Sequence, residues 1–292
     1  MTDLWHRELF GLVTADAVRR HLLRPIVEWL GAEGLRVVAF HVTDITPLGM
    51  DGLYEAHLVN TADAYRYRAL DARMALGPAV ALRLAPPAGA VPIEHWYSRL
   101  QQIKGASSPA ESQPGSLRHD LRAVNTILSL LHCSDAPAFA RREADLMLGQ
   151  PAESLPWQDG PALHQIADVL EAMTVREERG FCEVLTGLRG GVLLRLWDAL
   201  DDDGRALAAK LIGTAGLCAH DAGERLCEHL AADARRGPLA GILAAPFDPG
   251  APPVDIGRVR RHLAAAAVPF DDWSEAVLGS SMYFEPRRSA AQ

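Results

Sequence analysis

The sequence predicts an α+β fold for its first half and an all-α second half, and three observations carry that prediction. Apolar runs short enough for strands alternate with helical periodicities as far as residue 148. A stretch rich in Pro, Gly and polar side chains, GQPAESLPWQDGP at 149–161, then breaks the pattern. Beyond it the apolar spacing is helical almost throughout. At 292 residues the chain exceeds the usual size of one domain. The expected organisation is an α+β domain over 1–148, a linker over 149–161 and a helical domain of unassigned role over 162–292.

Each element has its own signal. LFGLV at 9–13 reads as a buried strand, after which Asp16 opens an amphipathic helix through Arg19, Leu23, Ile26, Val27 and Leu30 to a stop at Gly34. LRVVAFHV at 35–42 is the next strand. Pro47 begins a helix carrying Leu53, Tyr54 and His57, and a second helix from Ala64 to Leu76 ends at Gly77-Pro78. AVALRL at 79–84 is a strand, PPAGAVP a connection and IEHWYSRLQQI a helix. A loop over 105–120 leads to the apolar run ILSLL at 127–131, read as the strand that delivers His132, and a helix runs from Ala136 to Leu148. The order β-α-β-α-α-β-α-loop-β-α is compatible with a ferredoxin-like antiparallel sheet covered by helices. In the second half ALHQIADVLEAM, FCEVLTGL, VLLRLWDAL, GRALAAKLIGTAGL, RLCEHLAADA, VRRHLAAAA and WSEAVLG read as helices, and DPGAPP at 248–253 is the clear interruption.

Composition narrows the function classes. Hydrophobic residues make up 49% and mean hydropathy is zero, as in a soluble globular protein that buries a real core. A net charge of −8 argues against a broad nucleic-acid surface while leaving room for a local basic cleft. Lys104 and Lys210 are the only lysines, so basic charge is almost entirely arginine. The N-terminus has no basic segment followed by a long apolar one, and no run approaches ~20 apolar residues. No membrane span and a cytoplasmic location are therefore expected. Cys133, Cys182, Cys218 and Cys227 show no tight pairing pattern, which fits a reducing compartment.

The residues that say most run from Gly105 to Glu143. The segment GASSPAESQPGSLRHD at 105–120 comes first, then the apolar run, then His132-Cys133-Ser134-Asp135, with Glu143 on the helix that follows. This arrangement resembles the nucleoside diphosphate kinase family over roughly residues 7–148. In that family an apolar strand carries a nucleophilic histidine followed by Gly-Ser-Asp, and a glutamate on the next helix steadies the imidazole. The family loop is close to G-x-T-N-P-x-x-x-x-P-G-T-I-R-x-D. Gly105, Pro109, Pro114, Gly115, Arg118 and Asp120 match it directly, while Ser107, Ser108 and Ser116 replace Thr, Asn and Thr.

The resemblance implies a nucleoside diphosphate kinase-like fold for the first domain. It also implies phosphoryl transfer from a nucleoside triphosphate, through phosphohistidine, to a nucleoside diphosphate or related acceptor. Histidine suits that role because much of it is neutral at pH 7. By the same resemblance His132 is the nucleophile, Glu143 its orienting partner and Ser134 a nearby hydroxyl. Ser107 and Arg118 are phosphate donors, Asp135 stands one shell out from Mg²⁺, and Tyr54 packs near the nucleophile. No protein side chain is expected to ligate the metal directly. Tyr65 or Tyr67 and Arg66 or Arg68 lie near where the family holds a base-stacking aromatic and a phosphate contact. The family assembles into oligomers, so a homo-oligomer is expected, and the helical half is a candidate surface for a protein partner.

The pattern also departs from the family. Its strand-end lysine is Thr14 here, a second arginine is Gln101, an asparagine three before the histidine is Ser129, and the glycine after it is Cys133. Losing one donor to developing charge commonly slows a reaction by about a hundred- to a thousandfold. Arg99, Arg19 and Arg20 are candidate substitutes. Two other readings stay open: a degraded nucleotide-binding or interaction module, and a kinase for a specialised metabolite. The remaining clusters read as structural. Cys133 replaces a small residue, Cys218-Ala-His220 and Cys227-Glu-His229 are spaced poorly for zinc, and Asp201-Asp202-Asp203 caps a helix.

Overall fold

Apolar runs dense in Leu, Val and Ala build the sheet. In a computed structural model the chain is described over residues 4–46, 49, 76–89 and 92–288. Strands β1 (Leu9–Val13), β2 (Arg36–Thr43), β3 (Ala79–Ala85), β4 (Leu131–Cys133) and β5 (Gln158–Asp159) form one sheet in the order β4-β1-β3-β2-β5, every pair antiparallel. β1 is buried along its whole length, as its uninterrupted apolar run requires. The sheet shares one core with helices α1 (Ala15–Arg19), α2 (Leu23–Ala32), α3 (Ile93–Lys104), α5 (Pro137–Leu148) and α6 (Leu163–Met173), and the short α4 (Leu117–Asp120) adds Leu117 to it. The α+β, antiparallel expectation holds. The helices expected between Pro47 and Leu76, with Tyr54, Tyr65, Tyr67, Arg66 and Arg68, lie outside the described residues except for Gly49 and Leu76.

Three local expectations are corrected. The single helix expected from Asp16 to Leu30 is two, broken at His21, whose φ is +56°. Pro25 explains the break, because its ring would clash with the carbonyl four residues back and it has no N–H to give. The apolar run at 127–131 is mostly loop, since Asn125 Oδ1 accepts the N–H groups of Ile127 and Leu128, and the strand begins only at Leu131. The stretch at 149–161 is not a linker. Ala152 and Leu155 are buried, the Trp157 indole donates to the Ala152 carbonyl at 2.7 Å, and β5 pairs with Ala39 and Phe40 of β2.

The chain divides into two compact units, Met1–Glu178 and Arg179–Gln292, so the expected boundary falls too early. Helix α6 belongs to the first unit because Leu163, Ala167 and Leu170 enter the sheet's core, and Arg24 on α2 holds Glu171 at 2.8 Å and also pairs with Asp168.

The second unit is helical, as expected. Its described helices are α7 (Phe181–Leu196), α8 (Asp202–Gly213), α9 (Ala222–Glu228), α10 (Ala232–Arg235), α11 (Pro238–Ala244), α12 (Ile256–Ala265) and α13 (Asp272–Ser281). Helix α7 buries Phe181, Val184, Leu185, Leu188, Val192 and Leu193 and packs against α11 and α13. Asp201, Asp255 and Asp271 cap α8, α12 and α13 through their side chains, so the acidic run at 201–203 begins with a helix cap.

Arg189 is fully buried inside this unit and donates to the carbonyls of Leu217, Ala219, Leu243 and Ala245 at 2.5–3.2 Å. Burial pushes its guanidinium down to about 10, and the four acceptors offset the cost of removing it from water. Cys182 and Cys218 form a disulfide, their Cα atoms 5.2 Å apart, which corrects the expectation of unpaired cysteines. Cys133 and Cys227 carry thiols. His220 pairs with Asp248 and His229 with Asp201, and among the described residues no group of three or more metal-ligating side chains converges.

Candidate active site

The site starts from one strand pairing. Antiparallel pairing with β1 sets His132 opposite Leu12 and Cys133 opposite Gly11. Alternation along β4 then separates the neighbours. Cys133 is buried, and burial pushes its thiol up, away from reactivity at neutral pH. The His132 side chain, 24% exposed, lies on an open cavity of ≈ 420 Å³ whose wall also includes Lys104, Ser107, Arg118, Asp135, Glu143 and the buried Cys133.

The expected pairing of histidine and glutamate is present as a contact. Glu143, seven residues into α5, returns its carboxylate to the strand end. Its Oε2 accepts from His132 Nε2 at 2.9 Å and from Ser134 Oγ at 2.5 Å. Burial opposes ionisation of Glu143, but the hydrogen bond and charge of His132, the Ser134 hydroxyl and nearby Lys104 outweigh it and hold the carboxyl below its usual range. An ionised Glu143 can only accept, so the proton belongs on Nε2 and the imidazole lone pair on Nδ1. Ser134 is nearly fully buried and its hydroxyl serves Glu143.

The loop over 105–120 braces this arrangement. Gly105 has φ +83°, and a Cβ there would sit 2.5 Å from Ser116 Oγ, so only glycine fits. The Gly115 N–H is held by Asp120 Oδ1 at 3.1 Å. Arg118 donates to the carbonyls of Gly105 at 2.9 Å, Ser129 at 3.1 Å and Leu131 at 2.9 Å. Its guanidinium thereby joins the start of the loop to the residue before His132, with its charge on the cavity wall. Ser107 lines the same wall, and Asp135 stands exposed at its rim. Tyr54 lies outside the described residues.

The departures have structural consequences. Thr14 is fully buried and, among the described residues, its hydroxyl has no hydrogen-bond partner, so this position brings no cation to the cavity. Gln101 lines the cavity, but its amide donates to the carbonyls of Cys133 at 3.2 Å and Ser134 at 3.1 Å. The candidate substitutes are engaged elsewhere: Arg99 holds Glu33 at 2.7 Å and Arg20 the Arg122 carbonyl at 3.0 Å, and neither they nor Arg19 line the cavity. Lys104, in contrast, does line it. Sequence reasoning noted it only as one of two lysines; its signal was a lysine at the end of an amphipathic helix, directly before the loop's first glycine.

Among the described residues no helix is long and apolar enough to cross a membrane. A sequence model of the family described as nucleoside diphosphate kinase matches residues 8–152. The nucleoside diphosphate kinase of Moorella thermoacetica is 33% identical over 144 residues, 49% of this chain and 94% of that protein. That of Metallosphaera sedula is 29% identical over 140 residues, 48% of this chain and 91% of its own length. A crystal form of the Aquifex aeolicus nucleoside diphosphate kinase aligns at 22% identity with a TM-score of 0.40, covering 48% of this chain and 93% of that one. Through its first half, this chain belongs to the nucleoside diphosphate kinase family.

Proposed function

We propose that the first unit moves a phosphoryl group from a nucleoside triphosphate to a nucleoside diphosphate or related acceptor through a phosphohistidine at His132. The observation that carries this reading is the His132–Glu143 pair on a cavity wall shared with Lys104, Arg118 and Ser107. Nδ1 of His132 attacks the γ-phosphorus in line. The N–P bond forms as the bond from γ-phosphorus to the β,γ-bridging oxygen breaks, and the diphosphate leaves with that electron pair. The ring gains positive charge as this happens, and the anionic Glu143, held on Nε2, stabilises it. The second half-reaction reverses these steps on a new acceptor.

Mg²⁺ fits this cavity as a companion of the nucleotide. No group of three or more ligating side chains converges among the described residues, so the phosphates and water would supply most of the coordination. Asp135 is the wall carboxylate suited to the metal's hydration shell; when bound, the ion neutralises charge between the phosphates. The homo-oligomer is proposed as well: light scattering should give a multiple of 31.6 kDa, and the monomer mass would refute it.

The test of transfer is incubation of wild type and His132→Ala with γ-labelled ATP and GTP plus Mg²⁺, stopped without acid. Acid-labile label on wild type alone is the expected result. No label under conditions that label an active relative would refute transfer from those donors. The second reading, nucleotide binding without transfer, draws support from the engagement of Gln101 with backbone carbonyls. Its signature is nucleotide affinity with no label.

A further inference from the structure

Lys104 combines features that its surroundings do not account for. It is only 6% exposed, whereas lysine is almost never buried without a partner. Among the described residues no carboxylate lies in ion-pair contact with it; Cys133, a thiol that burial pushes up, is its foremost electrostatic neighbour, ahead of Asp135 and Glu143. Its ammonium is not one of the sealed polar atoms lacking a partner, so the hydration it keeps comes from the cavity that it lines. Burial, with Arg118 adding to it, pulls its pKa down. An anion entering the cavity would relieve both burdens at once.

The neighbouring groups leave that task to it. Arg118 directs donors to three carbonyls and Gln101 directs its amide to two, while Thr14 is sealed in the core. Lys104 closes α3 and precedes Gly105, the residue that opens the loop, and it shares its wall with His132. Three rotatable N–H donors on a flexible stem suit a phosphate chain whose charge shifts during transfer.

We propose that Lys104 binds the terminal phosphates of a nucleoside triphosphate, supplying from the end of α3 the cation that Thr14 does not bring. The proposal takes its ligand class from the phosphoryl-transfer reading, and the measurements separate the two.

Calorimetry with the β,γ-imido analogue of ATP plus Mg²⁺ compares wild type, Lys104→Met and Lys104→Arg, with AMP as the control. Affinity of Lys104→Met for the analogue should fall about tenfold to a hundredfold, the worth of a hydrogen bond to a charged group. AMP affinity should stay level, and Lys104→Arg should recover part of the loss. Unchanged analogue affinity in Lys104→Met would overturn the proposal and leave Lys104 as a helix-end charge. A wild type that binds no analogue would overturn it too. Triphosphate affinity that depends on Lys104, without any label on His132, would sustain the proposal while refuting transfer. Normal labelling with unchanged affinity would do the reverse.

A footprint on the wild-type chain avoids reliance on the fold of any variant. Reductive methylation read by mass spectrometry should be slowed at Lys104 by the analogue and unaffected at Lys210, which is exposed and in the other unit. Equal rates at Lys104 with and without analogue would overturn the proposal.

Discussion

Replacing Glu143 by glutamine keeps the side chain's length and removes its charge, which isolates what the carboxylate contributes. Its Oε2 accepts two hydrogen bonds, from His132 Nε2 at 2.9 Å and Ser134 Oγ at 2.5 Å. The Ser134 bond is the same before and during reaction and cancels from the barrier. The bond to His132 does not cancel, because the ring becomes cationic as the N–P bond forms. The carboxylate is charged before reaction as well, so what glutamine forfeits is the added attraction between anion and new cation, ~1–2 kcal/mol at the lower end of what an adjacent opposite charge gives. A loss of ~1–2 kcal/mol corresponds to phosphohistidine formation slowed about 5- to 30-fold. Rapid-quench single turnovers at saturating triphosphate measure the step directly. Glu143→Ala also removes the tether that fixes the ring and should be slower still. A Glu143→Gln rate within about twofold of wild type would refute the argument that the anion stabilises the phosphorylated imidazole.

Other outcomes follow from the same structure. Because the folded-state pKa of Glu143 is depressed below its ordinary 4.5, its ionised form adds stability above that value and loses it as pH falls through the lowered one. The stability advantage of wild type over Glu143→Gln in urea should therefore shrink on acidification, and an advantage that grows would contradict the assigned direction. Arg189→Met strands four carbonyls in the helical unit and should destabilise it by ~3–5 kcal/mol, measured by denaturant unfolding. Reducing Cys182–Cys218 opens a loop of sequence separation 36 and should remove up to ~4 kcal/mol from the same unit. A melting temperature unmoved by reductant would refute that contribution. Gly223→Ala puts a methyl group 1.8 Å from the Leu243 carbonyl oxygen, so the α9–α11 approach must open at a cost of ~1–3 kcal/mol or more; calorimetric melting checks it.

What could be read in the sequence was what local chemistry dictates. The strands at 9–13 and 79–85 were legible because short apolar runs, the second broken only by Arg83, have few alternatives in a buried sheet. The spacing of Gly105, Gly115, Arg118 and Asp120 was legible as a pattern, though not its mechanics: two glycines at positive φ and one guanidinium bridging three carbonyls. The break at His21 was signalled by Pro25 and lost beneath a convincing helical period. β5 was hidden because two residues in a Pro- and Gly-rich stretch carry no periodicity, and only their partner strand makes them a strand. Long-range pairings were the least accessible. Nothing local to Cys182 names Cys218, and Arg189 within an apolar helix resembles an ordinary solvent-facing arginine until four carbonyls converge on it. Lys104 went unread for the same reason, since its significance lies in which groups around it are already engaged.

The two-residue strand β5 matters beyond its size. A sheet's outermost strand offers a row of unpaired donors and acceptors to any strand that meets it. Here the chain lays its own residues 158–159 on β2, and Gly160 follows so closely that a methyl group there would fall 2.1 Å from the Val37 carbonyl oxygen. That margin is covered from within at Ala39 and Phe40, while the opposite margin is β4, three residues long and carrying His132. Any strand that would extend the sheet beside Ala39 and Phe40 must first displace residues 158–159 of the same chain.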